Sequence, residues 1–240
     1  MPIQTVSTQR LYRQIAEQIA DLIRRGEFKP GDRLPAEREL AAQFGVSRPS
    51  VREAFIALEI DGLIEVKVGT GVYISAVPAP KAPVSSMVDP GPFEVVAARA
   101  FLEGETAALA AQNATALQHL RIRETLAMMS DEFQLKNSGL DADCLFHVRI
   151  AEASGNSALA HLVKNLWDFR YGPMFRKLDE HFDTPARHAA AIDEHRIIVN
   201  AIERRDAVAA RAAMRVHLDN IRVALEHGLN HTEALPVAHE

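Results

Sequence analysis

The chain has 240 residues, close to half of them apolar and a quarter charged, which is ordinary for a globular protein and long enough for two domains. No apolar run approaches the roughly 18 residues a membrane span needs. The N-terminus MPIQTVSTQR lacks a basic-then-apolar leader pattern, and the single cysteine, Cys144, cannot form an intrachain disulfide, so a cytoplasmic protein is expected. The net charge of −5 looks unfavourable for nucleic acid. Residues 1–77 are neutral, however, with ten Lys/Arg against ten Asp/Glu, and the acid excess falls in the remainder.

In chain order, Leu11, Ile15, Ile19 and Leu22 recur at helical spacing up to Gly26. A turn-rich stretch follows, then a second helix after Pro35 with Leu40, Ala41 and Phe44 on its apolar side, broken at Gly45. Ser47 is placed to cap a third helix that buries Val51, Ala54, Phe55 and Leu58 and stops at Gly62. Two short helices across a Gly-containing turn form a helix-turn-helix pattern. Leu63–Val68 and Val72–Ile74, β-rich and flanking Gly69-Thr70-Gly71, predict a hairpin, the wing. Residues 76–92 carry Pro78, Pro80, Pro83, Pro90 and Pro92 and read as an extended linker. Beyond it, helical periods over 93–112, 115–136, 140–154, 157–178 (interrupted at Gly172-Pro173), 184–204 and 206–228 predict an all-α antiparallel bundle, with 229–240 a tail. The expected organisation is a winged helix-turn-helix over 1–75, the linker over 76–92, and an all-helical domain over 93–228.

Arg48 and Arg52 open the third helix four residues apart, which predicts one shared face at the end that enters a major groove, where Arg pairs bidentately with guanine. Ser50 and nearby backbone N–H groups suit phosphate, as do Arg38 on the second helix and Lys67 or Thr70 at the wing. The stretch LPAERELAAQFGVSRPSVREAFIALEIDGLIEVKVGTGVYI closely resembles the DNA-binding domain of the GntR family of regulators. The resemblance implies operator-contacting arginines at Arg38, Arg48 and Arg52, and a Gly-x-Gly wing at Gly69 and Gly71. One helix-turn-helix reads only a few base pairs, so a homodimer on a short inverted repeat in operator DNA is expected, and the resemblance implies that the helical domain over 93–228 is its effector-binding and dimerisation part.

In the helical part, Asp143 and His147 stand one turn apart on one face. His195 and His217 sit on apolar faces about ten and eleven residues either side of the Arg205-Asp206 turn, so an antiparallel hairpin brings them to the same height. Each histidine alone fits a hydrogen-bonded core residue; the matched height and the Asp-x-x-x-His pair favour a divalent metal, for which Zn²⁺, Ni²⁺ and Mn²⁺ all suit. DADCLFHVRIAEASGN, EHRIIVNAIERRD and AARAAMRVHL resemble the FCD-type ligand-binding domain of the FadR subfamily. In metal-containing members an Asp and three His are the ligands, and these map onto Asp143, His147, His195 and His217. Members that bind acyl-CoA lack this set. The resemblance further implies that Arg99, spaced i, i+4 with Glu103, helps hold an effector carboxylate, with Asn200 a second candidate. AARAFLEGETAALAA and LWDFRYGPMF resemble regulators answering to hexuronates and related sugar acids.

The expected function is therefore a repressor released from its operator by a small carboxylate at a metal site. The alternatives are a sensor of the metal itself and a metalloenzyme. No second carboxylate, Ser or Cys is placed as a base or nucleophile, so no catalytic residue is assigned and the chain is expected not to be an enzyme.

Overall fold

Tyr12, Ile15, Ala16, Ile19 and Ala20 lie on one side of a 3.6-residue period, and they are the buried face of the first helix, α1 (Leu11–Arg24). The computed structural model describes residues 10–76, 89–134, 140–182 and 184–227; most of the proline-rich linker and all of the 229–240 tail lie outside them. α2 (Glu37–Phe44) ends at Gly45, whose φ of 66° a side chain would resist. Ser47 then caps α3 (Arg48–Ile60), its hydroxyl accepting from the Ser50 N–H at 3.3 Å. α3 packs on α1 and α2 and buries Val51, Ala54, Phe55, Ile56 and Leu58 completely. β1 (Ile64–Lys67) and β2 (Gly71–Ile74) pair antiparallel with Ile64 opposite Ile74 and Val66 opposite Val72. This two-residue alternation turns Ile64, Val66, Val72 and Ile74 inward and leaves Glu65 and Lys67 in solvent. The helices and hairpin form the expected winged helix-turn-helix.

The remainder is helical: α4 (Pro92–Asn113), α5 (Ala116–Gln134), α6 (Leu140–Ala153), α7 (Ser157–Asp168), a 3-10 turn (Phe169–Tyr171), α8 (Pro173–Phe182), α9 (Pro185–Glu203) and α10 (Ala207–His227). The breaks have local causes. Asn156 accepts from the Ala158 and Leu159 N–H groups to start α7. Pro173, without an N–H, can begin a helix but not continue one, so the 157–178 period divides into α7 and α8. Thr184 caps α9 through the Arg187 N–H, with Pro185 in its first turn. Small residues on α4 (Ala107, Ala110, Ala111) meet Phe146 and Ile150 of α6, Ile198 and Ile202 of α9, and Met214 and Leu218 of α10 in one apolar core.

The described residues group into two compact units, one comprising those of 1–92, 176–181 and 225–227, the other those of 93–175 and 182–224. Within the second, the α9–α10 turn sets the height at which those helices face each other. It is made by Arg205, which has φ 58° although it is not glycine. Its guanidinium donates to the carbonyls of Gln112 and Ala114 at 3.1 and 3.3 Å, satisfying acceptors at the end of α4. Arg205→Ala loses those bonds and keeps the left-handed strain, whereas Arg205→Gly loses the bonds but relieves the backbone. The glycine variant should therefore be the more stable of the two by about 1 kcal/mol in denaturant titration; equal stability would contradict this account of the turn.

Candidate nucleic-acid interface and metal centre

The groups expected at DNA divide sharply by environment. Arg48 is exposed at the start of α3, with Ser50 half-buried beside it and its hydroxyl 2.9 Å from that of Ser47. Arg38 on α2 is exposed, as are Lys67 and Thr70 around the wing turn, where Gly69 has φ 80° and Gly71 φ 131°. Arg52 is different, and the expectation that it shares an open face with Arg48 does not hold in this structure. Only 1% of Arg52 is exposed. Its Nε and Nη2 donate to the two carboxylate oxygens of Glu37, the first at 2.8 Å, and its Nη1 donates to the Leu225 carbonyl at 2.9 Å. This fork-on-carboxylate geometry explains the departure, because each group is the other's partner in a dry setting. To reach a base, the Arg52 guanidinium must leave Glu37.

Arg33 was not apparent from the sequence. Its guanidinium covers Gly71 so closely that a Cβ there would lie 2.6 Å from Nε, which places a further cation on the wing and gives Gly71 a steric reason as well as a conformational one. No local period announces this contact, since it depends on the pairing of Arg33 with Tyr73 in β2.

The four proposed ligands converge. Asp143 and His147 on α6, His195 on α9 and His217 on α10 each offer one ligand atom, and those atoms all lie within 4.8 Å of one another. The Nε2 atoms of His195 and His217 are 3.2 Å apart, and Asp143 Oδ1 lies 3.4 Å from His147 Nε2 and 3.3 Å from His195 Nε2. The imidazoles are essentially buried, while a quarter of the Asp143 side chain remains exposed, so the cluster opens to solvent on the aspartate side.

Two further carboxylates fix how the rings present themselves. His217 Nδ1 donates to Glu194 Oε2 at 2.7 Å, and Glu194 is itself held by Asn220 at 2.9 Å and Arg187 at 3.2 Å. His147 Nδ1 lies against Glu103 Oε2. With the Nδ1 protons taken up on that side, the Nε2 lone pairs of both rings face inward. Burial pushes the His195 and His217 imidazoles below their ordinary value, favouring the neutral rings. Burial alone would raise Asp143 and Glu103, but their neighbours reverse this. The imidazoles around it, His147 at 3.4 Å and His195 at 3.3 Å among them, hold Asp143 far below the usual carboxylate range, and Arg99 and His147 hold Glu103 at about 2. His147 moves the other way: burial lowers it, but Glu103 and Asp143 beside it raise it above its ordinary value, so the centre is an ionised carboxylate among two neutral imidazoles and one drawn toward its charged form. Asp143 Oδ1 and His147 Nε2, both buried, have no hydrogen-bond partner. Buried, unpartnered ligand atoms meeting at one point are what a cation would satisfy, so the residue set fits a divalent metal.

Arg99 lies behind this cluster rather than on the surface. It is 1% exposed, donates from Nε to Glu103 Oε1 at 2.6 Å, and lays its guanidinium 4.0 Å over the Trp167 ring. Through Glu103 it is therefore one residue removed from His147. Asn200, the other proposed effector group, is exposed; at five residues past His195 it is rotated about 140° around α9, away from the cluster. Glu103 and Glu194 were not identified as ring partners from the sequence. The signal for Glu103 was its i, i+4 spacing from Arg99, which reads equally as a surface pair, and for Glu194 only its adjacency to His195.

This combination of winged helix-turn-helix and helical domain defines a two-part transcription regulator. The family model described as "Bacterial regulatory proteins, gntR family" matches residues 11–74, and that described as "FCD domain" matches 94–220. Over 228 residues, 91% of this chain and 88% of the relative, the protein is 38% identical to the Uxu operon transcriptional regulator of Escherichia coli strain K12. Over 221 residues, 90% and 84% of the two chains, it is 35% identical to the Exu regulon transcriptional regulator of the same strain. Among solved structures, E. coli McbR/YncC matches with a TM-score of 0.52 and 23% identity, covering 93% of this chain and all of that one, which supports the fold. The chain belongs to the GntR family of bacterial regulatory proteins, with an FCD domain following its DNA-binding domain. It is a transcription regulator, not an enzyme.

Because Arg52 is the buried partner of Glu37, Arg52→Ala leaves a carboxylate unpaired in a dry site and should destabilise the protein by about 3–5 kcal/mol. Arg48→Ala, at an exposed position, should change stability by no more than about 0.5 kcal/mol. Thermal or denaturant unfolding of the two variants checks the contrast, and equal stabilities would contradict the pairing.

Proposed function

We propose that this regulator is a homodimeric repressor of an operator with inverted-repeat symmetry. A small hydroxy-carboxylate, of the sugar-acid class, releases it by binding at a divalent metal held by Asp143, His147, His195 and His217. The observation that carries the reading is the convergence of four ligand atoms, two of them orphaned, one residue away from the buried Arg99 guanidinium. When bound, the ion supplies Lewis-acid coordination to carboxylate and hydroxyl oxygens. Glu103 and Glu194 orient the rings, and Arg99 supplies a charge-assisted donor on the side away from solvent.

On DNA, Arg48 reads bases at the start of α3, joined by Arg52 once it parts from Glu37. Arg38, Ser50, Lys67, Thr70 and the backbone of Gly69 and Gly71 contact phosphate. Two-fold pairing of such heads doubles a site of a few base pairs. Ligand empties the operator only through a difference in its affinity for the free and DNA-bound forms. Moving occupancy from 99:1 to 1:99 needs a preference of about 10⁴-fold, or about 5.5 kcal/mol. By reciprocity, operator DNA weakens effector binding by the same factor.

Protein purified without a polyhistidine tag should contain about one equivalent of Zn, Ni or Mn by elemental analysis, and His195→Ala should lose it while remaining folded. Less than about a tenth of an equivalent, with no rise in Tm on adding metal, would reject the site.

A second reading, a sensor of the metal itself, draws on the same four ligands. The two separate in a DNA titration. With metal loaded, citrate or D-glucuronate should release the wild-type protein from operator DNA, and Arg99→Lys, which keeps the charge beside Glu103 but removes the fork, should respond at least tenfold more weakly. Release by metal removal alone, with no carboxylate effect, would establish the metal sensor instead.

A further inference from the structure

Trp167 is the only tryptophan in the chain. It lies on α7 and is fully buried, and its neighbours Cys144, Ala151 and Val163 provide an apolar wall. A phenylalanine or leucine would satisfy that wall. What an indole adds is an N–H, and Trp167 Nε1 has no hydrogen-bond partner among the described residues. Burying such a donor unsatisfied costs about 1–3 kcal/mol. A second donor beside it is in the same condition. Arg99 spends its Nε on Glu103, while its Nη2 is buried without a partner. The two side chains are in contact, with the guanidinium 4.0 Å over the ring, and the Trp167 ring also lies 5.1 Å from the His147 imidazole.

The two orphans on the metal-facing side, Asp143 Oδ1 and His147 Nε2, are suited to a cation. The orphans at Arg99 and Trp167 are both donors, one of them charged. Nearby carboxylates do not meet their need, since Glu103 is engaged by Arg99 Nε and His147 and Asp143 is turned into the cluster. Two buried donors in contact, without an acceptor, call for an anionic oxygen from outside the chain.

We propose that Trp167 is a ligand-recognition residue, its Nε1–H joining the free Nη2 of Arg99 to bind a carboxylate oxygen of the effector next to the metal centre. This deepens the reading above and rests on it. The cation–π contact keeps the guanidinium seated on the ring, so the two donors are held together before ligand arrives, which reduces the ordering cost of binding. Selection follows from the same feature. A carboxylate satisfies both donors, and an analogue lacking that group leaves them buried and unpaired, which is the kind of mismatch that discriminates strongly.

The test uses full-length, metal-loaded protein with citrate and D-glucuronate as probes. Because the chain has one tryptophan, a ¹⁵N-labelled sample gives one indole N–H signal, which reports this donor without any substitution. Binding should shift that signal and slow its exchange with solvent, with a parallel change in tryptophan fluorescence. Trp167→Phe, which preserves the ring and the stacking surface, should bind the same probe about tenfold more weakly by calorimetry, with metal content and operator affinity unchanged. If a probe binds wild-type protein while the indole signal stays fixed, or if Trp167→Phe binds equally well, the donor is satisfied by water alone and the assignment of Trp167 is overturned although the effector reading stands. If neither probe binds wild-type protein, both readings fall.

Discussion

Three imidazole nitrogens and one carboxylate oxygen are brought from three helices to a common point inside an apolar bundle, and Asp143 Oδ1 and His147 Nε2 are left there without a hydrogen-bond partner. Left alone, this is an unfavourable arrangement, because buried polar atoms without partners have lost their water and gained nothing in return. The rest of the helical domain is organised around making it tolerable. Glu194 and Glu103 engage the outer nitrogens of His217 and His147, Arg187 and Asn220 brace Glu194, and Arg99 braces Glu103. The α9–α10 turn at Arg205 sets His195 opposite His217. Phe146 closes one side, its ring 4.4 Å from that of His195.

The same bracing links the four-residue cluster to Arg99. Arg99, Glu103 and His147 form a continuous line from the side where a carboxylate would be held to the side where a cation would be. A negative group that draws on the Arg99 guanidinium weakens its hold on Glu103, and the charge that Glu103 then directs at His147 grows. Under the proposed function, a cation and a carboxylate bound there would act on one shared residue, Glu103, rather than independently.

Much of this was legible in the sequence, for reasons that particular residues make clear. Gly45, Ser47 and Gly62 punctuate α2 and α3 through local backbone chemistry, so the helix-turn-helix follows from short-range pattern. The Asp143–His147 spacing and the equal distances of His195 and His217 from one turn are one-dimensional facts that helix geometry converts into a cluster. What periodicity supplies is the side of a helix, not what stands opposite it. Arg52 was expected on the open side with Arg48 because nothing local marks Glu37, fifteen residues earlier, as its partner. Arg99 and Glu103 have the spacing of a surface pair, and only the packing of α4 against α6 and α7 makes them interior. Asn200 lies five residues past His195, and helix geometry turns it about 140° away from the cluster.

The proposed metal centre requires one ion held by all four residues, through the three Nε2 atoms and Asp143 Oδ1. Anomalous diffraction at the absorption edge of the metal found in the purified protein tests it most directly. One strong peak per chain is expected, bonded to all four atoms at about 2.0–2.3 Å. A map with no peak there, in which His195 and His217 simply hydrogen-bond to each other, would contradict it.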